Sequence, residues 1–286
     1  AAITIIASAI SAAFNRAKAN KAADDAERAR QLYAEFPPMQ VADADMDATT
    51  ARIRFVDKLD QLTNCDWIIE AVVEDAKVKR DLFSQLAKMY PSDNVVLATN
   101  TSSISITEIA TAAGATAHRV VGMHFFNPVP LMQLVEVIPG IQTSPAVVER
   151  TIALATKMGK TPLKANDRAG FVSNRVLMPM INEAFFAWME GVAEPQHIDE
   201  IMKLGCNFPM GPLRLADFIG LDTCVHIMNV LADGLGSDRY RPCPLLKQLV
   251  AAGRLGDKTQ RGVYDYAPSA PSMTNSSAGH KSAAPV

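Results

Sequence analysis

Hydrophobic residues along the 286-residue chain follow two regimes: short β-branched runs alternating with amphipathic stretches, then amphipathic stretches alone. The runs 66-DWIIEAVVE-74, 94-NVVLATN-100 and 119-RVVGMHFF-126 are nearly continuous and bounded by charged or turn-forming residues, as suits strands buried on both faces. Between them, 77-KVKRDLFSQLAKMY-90 sets Leu82, Phe83, Leu86 and Met89 on one helical face and stops at Pro91, and 105-SITEIATAA-113 predicts another helix. A fourth strand is expected at 133-QLVEVI-138, a helix at 145-PAVVERTIALATKMG-159 and a short fifth strand at 161-TPLKAN-166. Strand and helix in alternation predict an α/β domain on a parallel sheet. Ahead of it, 1-AAITIIASAISAAFNRAKANK-21 reads as a helix, with Ile10 and Phe14 at i and i+4, and 22-AADDAERARQLYAEF-36 as a polar helix stopped by Pro37-Pro38.

The pattern changes around Arg168-Ala169-Gly170. From Phe171 onward the periodicity is helical only, over 171–190, 196–205, 213–235 and 244–255. The expected division is therefore 1–168, 169–266 and a tail, 267–286, whose Ala/Ser/Pro-rich composition predicts disorder. Helices 171–190 and 213–235 carry more apolar residues than one face of so small a domain can bury, so a homodimer through this domain is expected.

Composition narrows the partners. A chain 49% hydrophobic and 20% charged, with a net charge of −2, has no global attraction for nucleic acid or an anionic membrane; a small molecule is the expected partner. The long apolar run 171–190 contains Asn174, Arg175, Asn182 and Glu183, too polar for a bilayer span. In 1–21 the basic residues follow the apolar part, which is not the plan of a signal peptide. Cys65, Cys206, Cys224 and Cys243 lie far apart and away from histidines at ligand spacing, so free thiols in a reducing compartment are expected and no metal site.

In an open parallel sheet, ligands bind beyond the carboxyl ends of the strands. Three strand ends here carry polar residues out of keeping with their apolar runs: Glu74, then Asn100-Thr101-Ser102-Ser103, then His124 with Asn127. Singly, each has an ordinary structural explanation, such as a solvated loop, a helix cap or a core histidine. On successive strands they converge on one crevice. Glu136 follows His124 closely, and two buried ionisable groups cost free energy unless they pair or do chemistry.

The segments 70-EAVVEDAKVKRDLF-83, 98-ATNTSSISITEIA-110, 121-VGMHFFNPVPLMQLVEVI-138, 169-AGFVSNRVLMPMINEA-184 and 201-IMKLGCNFPMGPLRLADFIGLD-222 resemble the L-3-hydroxyacyl-CoA dehydrogenase family in order and spacing, from about Ile53 to Tyr266. The resemblance implies a Rossmann-type NAD-binding domain followed by a helical domain for substrate and dimerisation. It implies NAD as cofactor, an acyl-CoA substrate, and a place in fatty-acid β-oxidation or related acyl-CoA metabolism. It gives His124 the role of general base, Glu136 that of its orienting partner, and completes the catalytic group with Asn174 and Ser102. Glu74, Lys79, Asn100, Ser102, Asn127 and Lys258 match cofactor-binding positions; Ser102, Asn174 and, by looser matching, Lys21 match substrate-binding ones. A cytoplasmic location is expected, or the mitochondrial matrix in a eukaryote.

The family pattern also has a strand, a G-x-G-x-x-G turn and a helix that these residues do not contain, about one β-α-β unit. Without those glycines the pyrophosphate lacks its backbone cradle, and weak NADH binding is expected. In 256-GDKTQRG-262, Gln260 stands where the family usually has glycine. Two other readings stand beside the first: a related hydroxy-acid dehydrogenase, and a catalytically inactive homologue acting as a dimerising or structural protein.

Overall fold

The computed structural model describes residues 3–7, 56, 58–62 and 64–266. The chain divides into two compact units, one formed by Ala1–Val176 with Val230–Ser237, the other by Leu177–Asn229 with Asp238–Val286.

The first unit is built on a six-stranded sheet whose spatial order follows the chain: β1 (Ile3–Ala7), β2 (Trp67–Ala71), β3 (Val96–Thr99), β4 (Val120–Phe125), β5 (Leu134–Pro139) and β6 (Thr161–Lys164). Strands β1 to β4 run parallel, β5 runs antiparallel to β4, and β6 is parallel to β5. The sheet is thus mixed at one side, where periodicity predicted a parallel one. A parallel crossover needs a dozen or more residues, and the link from Phe125 to Leu134 is too short for it.

The helix expected over 1–21 is overturned at its start. Residues Ile3–Ala7 are a strand, in register with β2 from Ile3 beside Trp67 to Ala7 beside Ala71. The string Ile-Thr-Ile-Ile is β-branched throughout, which favours a pleated strand, and the edge of β2 offers unpaired backbone groups to meet it. The remainder of 1–21, the polar helix 22–36 and the tail 267–286 lie outside the described residues.

Helices α1 (Ala76–Met89) and α2 (Ile106–Ala112) cover one face of the sheet, where Ile68, Leu97, Val120 and Ile138 pack with Phe83, Leu86, Ile106 and Ile109. Helix α3 (Pro145–Lys157) covers the other, where Ile69, Val96, Val121, Met123, Val135 and Val137 pack with Val147, Leu154 and Ala155. Burial of both faces explains the near-continuous apolar strands; each such side chain contributes about 1.5–3 kcal/mol. Asp75, Ser105 and Ser144 cap the three helices by accepting from backbone N–H groups one turn on.

The second unit is helical. It takes in α4 (Ser173–Met189) from Leu177 onward, α5 (Pro195–Cys206), α6 (Pro212–Ile219), α7 (Leu221–Leu235) as far as Asn229, and α8 (Pro244–Ala251). The single helix expected over 213–235 is instead two, α6 and α7, bent by 97°. Gly220, at φ +103°, sits between them in a conformation that side-chain-bearing residues avoid. Two buried aspartates fasten the unit's last segment. Asp217 accepts from Val263 N (2.8 Å), Tyr264 N (3.0 Å) and Tyr266 Oη (2.7 Å); Asp199 accepts from Leu213 N and Arg214 N (both 2.8 Å) and from Tyr264 Oη (2.7 Å). Gln260 adopts the left-handed conformation at φ +56°, which accounts for the family's usual glycine there. Cys206, Cys224 and Cys243 are free thiols, and among the described residues no single helix is long and apolar enough to cross a membrane.

Candidate active site

The antiparallel pairing of β4 and β5 sets His124 directly opposite Glu136. Both are buried, and His124 Nδ1 lies 2.8 Å from Glu136 Oε2. An ionised carboxylate only accepts, so Nδ1 carries the proton and Nε2 is left as the basic nitrogen. Phe126 and Phe171 flank the imidazole at centroid distances of 4.6 and 5.9 Å.

Three further donors reach Glu136 from the start of α4. Val172 N (3.2 Å) and Ser173 N (3.1 Å) donate to Oε1, and Ser173 Oγ (2.9 Å) donates to Oε2. The turn Arg168–Phe171 delivers them: Gly170 (φ +71°) and Phe171 (φ +49°) are both left-handed and redirect the chain into the helix. Burial by itself raises the Glu136 carboxyl, but the hydrogen bonds from His124 and Ser173 outweigh it and hold the group below its ordinary value. The unsatisfied N–H groups at a helix start favour a carboxylate there.

The second component is the loop after β3. Glu74 Oε1 accepts from Thr101 Oγ1 (2.6 Å), Ser102 N (2.9 Å), Ser103 N (3.1 Å), Ser103 Oγ (3.1 Å) and Ser102 Oγ (3.3 Å). Burial raises this carboxyl too; the Thr101 hydroxyl, the Lys79 ammonium and the Ser102 and Ser103 donors bring it below the ordinary range. Asn174 Nδ2 donates to the Ser102 carbonyl at 2.9 Å, and Asn100 Oδ1 accepts from Phe125 N at 2.8 Å. The loop is therefore tied to the connection after β2 through Glu74, to β4 through Asn100 and to α4 through Asn174.

Lys79 is only 1% exposed and turned towards two carboxylates: Glu70 Oε1 at 2.6 Å and Glu74 Oε2 at 3.4 Å. Glu70, wholly buried on β2, also accepts from Thr99 Oγ1 at 2.6 Å and Val72 N at 2.7 Å. Asn127 is exposed and precedes a cis peptide bond to Pro128. Lys258 belongs to the helical unit, where it pairs with Asp222. Lys21 lies outside the described residues.

Three contributors were not singled out from the sequence. Glu70 had a signal, a carboxylate inside the apolar run WIIEAVVE, which must be paired to be buried. Ser173 had none, being one serine in the short stretch between Gly170 and Arg175. Asp167 accepts from Ser105 Oγ (2.9 Å), Ile106 N (3.0 Å) and Thr107 N (2.8 Å), closing the start of α2 from 60 or more residues away, which no local pattern reveals.

The comparisons with known proteins agree with each other. Residues 3–168 match the family model described as 3-hydroxyacyl-CoA dehydrogenase, NAD binding domain, and residues 170–266 match 3-hydroxyacyl-CoA dehydrogenase, C-terminal domain. The chain is 57% identical over 220 residues to a probable 3-hydroxybutyryl-CoA dehydrogenase of Deinococcus radiodurans, covering 77% of this chain and 78% of that one. It is 51% identical over 237 residues to a probable 3-hydroxybutyryl-CoA dehydrogenase of Bacillus subtilis, covering 83% and 82%. Among solved structures, (S)-3-hydroxybutyryl-CoA dehydrogenase from Ralstonia eutropha superposes with a TM-score of 0.79 at 41% identity, covering 93% of this chain and 99% of that one.

Proposed function

Because this chain belongs to the 3-hydroxyacyl-CoA dehydrogenase family, we propose that His124 is the general base with which it interconverts L-3-hydroxyacyl-CoA and 3-oxoacyl-CoA using NAD(H). The observation that carries this assignment is the buried Nδ1–Oε2 pair of 2.8 Å between His124 and Glu136. Oxidation of a secondary alcohol takes a proton from oxygen while hydride leaves carbon. His124 Nε2 receives that proton, and Glu136 holds the tautomer and stabilises the imidazolium. Ser102 and Asn174, tied together by the 2.9 Å bond, are the hydroxyl and amide donors for the substrate oxygen as its charge changes.

NAD, when bound, supplies the hydride acceptor. Glu74, Asn100 and Ser102 sit together at the carboxyl ends of β2 and β3, where a parallel sheet accepts a nucleotide, and with Asn127 beyond β4 they form a polar donor and acceptor set suited to it. The burial of Lys79 supports a part played through Glu74, whose carboxylate it neutralises, in place of a direct contact. Lys258 and Lys21 keep the cofactor and substrate assignments that the resemblance implies. The domain division belongs to the same proposal: residues 1–168 for cofactor binding and 169–266 for substrate and dimerisation. Exposed Ile201 (62%) and Leu204 (79%) on α5 support a homodimer through the helical unit. A cytoplasmic location goes with the free thiols of Cys206, Cys224 and Cys243.

The test is NADH oxidation with acetoacetyl-CoA. Residues 1–286 contain no glycine-rich phosphate turn, so the assay is run on the chain both as it stands and joined to a family-like β-α-β unit. Activity in the joined form that His124→Gln abolishes supports the proposal. A folded, NADH-binding joined form without activity overturns it in favour of an inactive homologue.

A further inference from the structure

The carboxylate of Glu136 offers about four lone-pair positions, and the structure fills all four. Oε1 takes Val172 N–H at 3.2 Å and Ser173 N–H at 3.1 Å; Oε2 takes His124 Nδ1–H at 2.8 Å and Ser173 Oγ–H at 2.9 Å. Among the described residues, Ser173 is the one that touches both oxygens. Its hydroxyl shares with the imidazole the oxygen on which the histidine depends.

We propose that Ser173 is a positioning residue for the dehydrogenase reaction: its hydroxyl and N–H clamp the Glu136 carboxylate in the rotamer that orients His124. The inference rests on the reading of His124 as the base. The physical reason lies in what remains without the hydroxyl. Oε1 keeps its two backbone N–H bonds, but Oε2 is then held by the imidazole alone, so that end of the carboxylate can rock with the ring and fewer molecules present Nε2 in its reactive orientation. A donor on Oε2 also draws off negative charge that would otherwise act on the imidazolium, so the serine limits how strongly Glu136 retains the proton that His124 has taken. His124 is the titratable group that acts on Glu136; the other three donors are neutral. Ser173 and its neighbour Asn174 divide the work at the first turn of α4, one holding β5 and the other the loop after β3.

The test compares Ser173→Ala, Ser173→Thr and Ser173→Cys in two measurements. The first is NMR titration of the His124 ring, assigned by the resonance lost in His124→Gln, which needs no bound cofactor. The second is steady-state kinetics in the assay above. Ser173→Ala is expected to lower kcat roughly tenfold, the scale of one hydrogen bond to a charged group, with KM for the acyl substrate within about twofold. It should also displace the His124 titration curve upward from that of the wild type, since the donor that drew charge off Oε2 is gone. Ser173→Thr, which keeps the hydroxyl, should restore both readouts. Ser173→Cys, nearly the same shape but a weak donor, should resemble the alanine variant and decides the matter if that variant does not fold. Wild-type kcat and titration in either the alanine or the cysteine variant overturn the proposal. Activity retained by His124→Gln would instead remove the reading of the base, while the titration still reports on Ser173.

Discussion

Glu136 takes donors from the neighbouring strand β4 and from a helix start, and the chemistry at the residue scale turns on its staying ionised. Its carboxyl lies below the ordinary range because hydrogen bonds from His124 and Ser173 overcome the cost of burial. A carboxyl depressed in the folded state contributes stability above its unfolded value of about 4.3, lost as pH falls through the folded value. Thermal unfolding of the intact protein should therefore show a Tm that declines below about pH 4, with Glu74 contributing in the same sense. In Glu136→Gln that decline should be shallower. The same substitution should lower kcat by about 10²–10⁴-fold at neutral pH, since an amide neither enforces the tautomer nor balances the imidazolium. A Glu136→Gln enzyme with wild-type kcat would return the residue to a merely structural role.

At the scale of elements, the decisive joints are short. Gly170 hands the chain from the sheet into α4 at φ +71°, and a Cβ there would lie 2.5 Å from Leu231 Cδ2. Gly170→Ala should thus destabilise the protein by about 1–3 kcal/mol, read as a lower urea midpoint, and should reduce activity because the same turn aims Val172 and Ser173 at Glu136. In the helical unit, Asp217 is the anchor of the final segment, accepting three hydrogen bonds from Val263, Tyr264 and Tyr266. Asp217→Asn puts an NH₂ group where an acceptor is needed; a loss of about 2–3 kcal/mol is expected, checked by denaturant unfolding. A variant as stable as the parent would mean that the segment docks without it. Apolar periodicity made the presence of most of these helices legible, but not the bend at Gly220, because a helical pattern can run across a glycine that leaves the helix.

For the whole molecule, the apolar side chains left in water are the guide. Ile201 and Leu204 lie three residues apart on α5 and are 62% and 79% exposed. A monomer that left them so would carry an avoidable apolar patch. Sedimentation at micromolar concentration should show a dimer, and Leu204→Glu combined with Ile201→Glu should shift it to monomer without unfolding the helices. A wild-type chain that sediments only as monomer would remove this surface from the proposal.

Apolar runs and helical periodicity were enough to determine the α/β part and the helical part that follows it, because burying both faces of a sheet or one face of a helix leaves a local trace in composition. They also marked His124, Glu136 and the polar strand ends as residues out of keeping with their surroundings. Tertiary structure decided what those residues meet. The reversal between β4 and β5 puts His124 opposite Glu136, 12 residues away, and Ser173 reaches the same carboxylate across 37 residues. It also made a strand of Ile3–Ala7, where the unpaired edge of β2 outweighed a helical reading of the longer stretch. Pairing direction, register and long-range hydrogen bonds depend on partners distant in the chain, and no short window of sequence contains both partners.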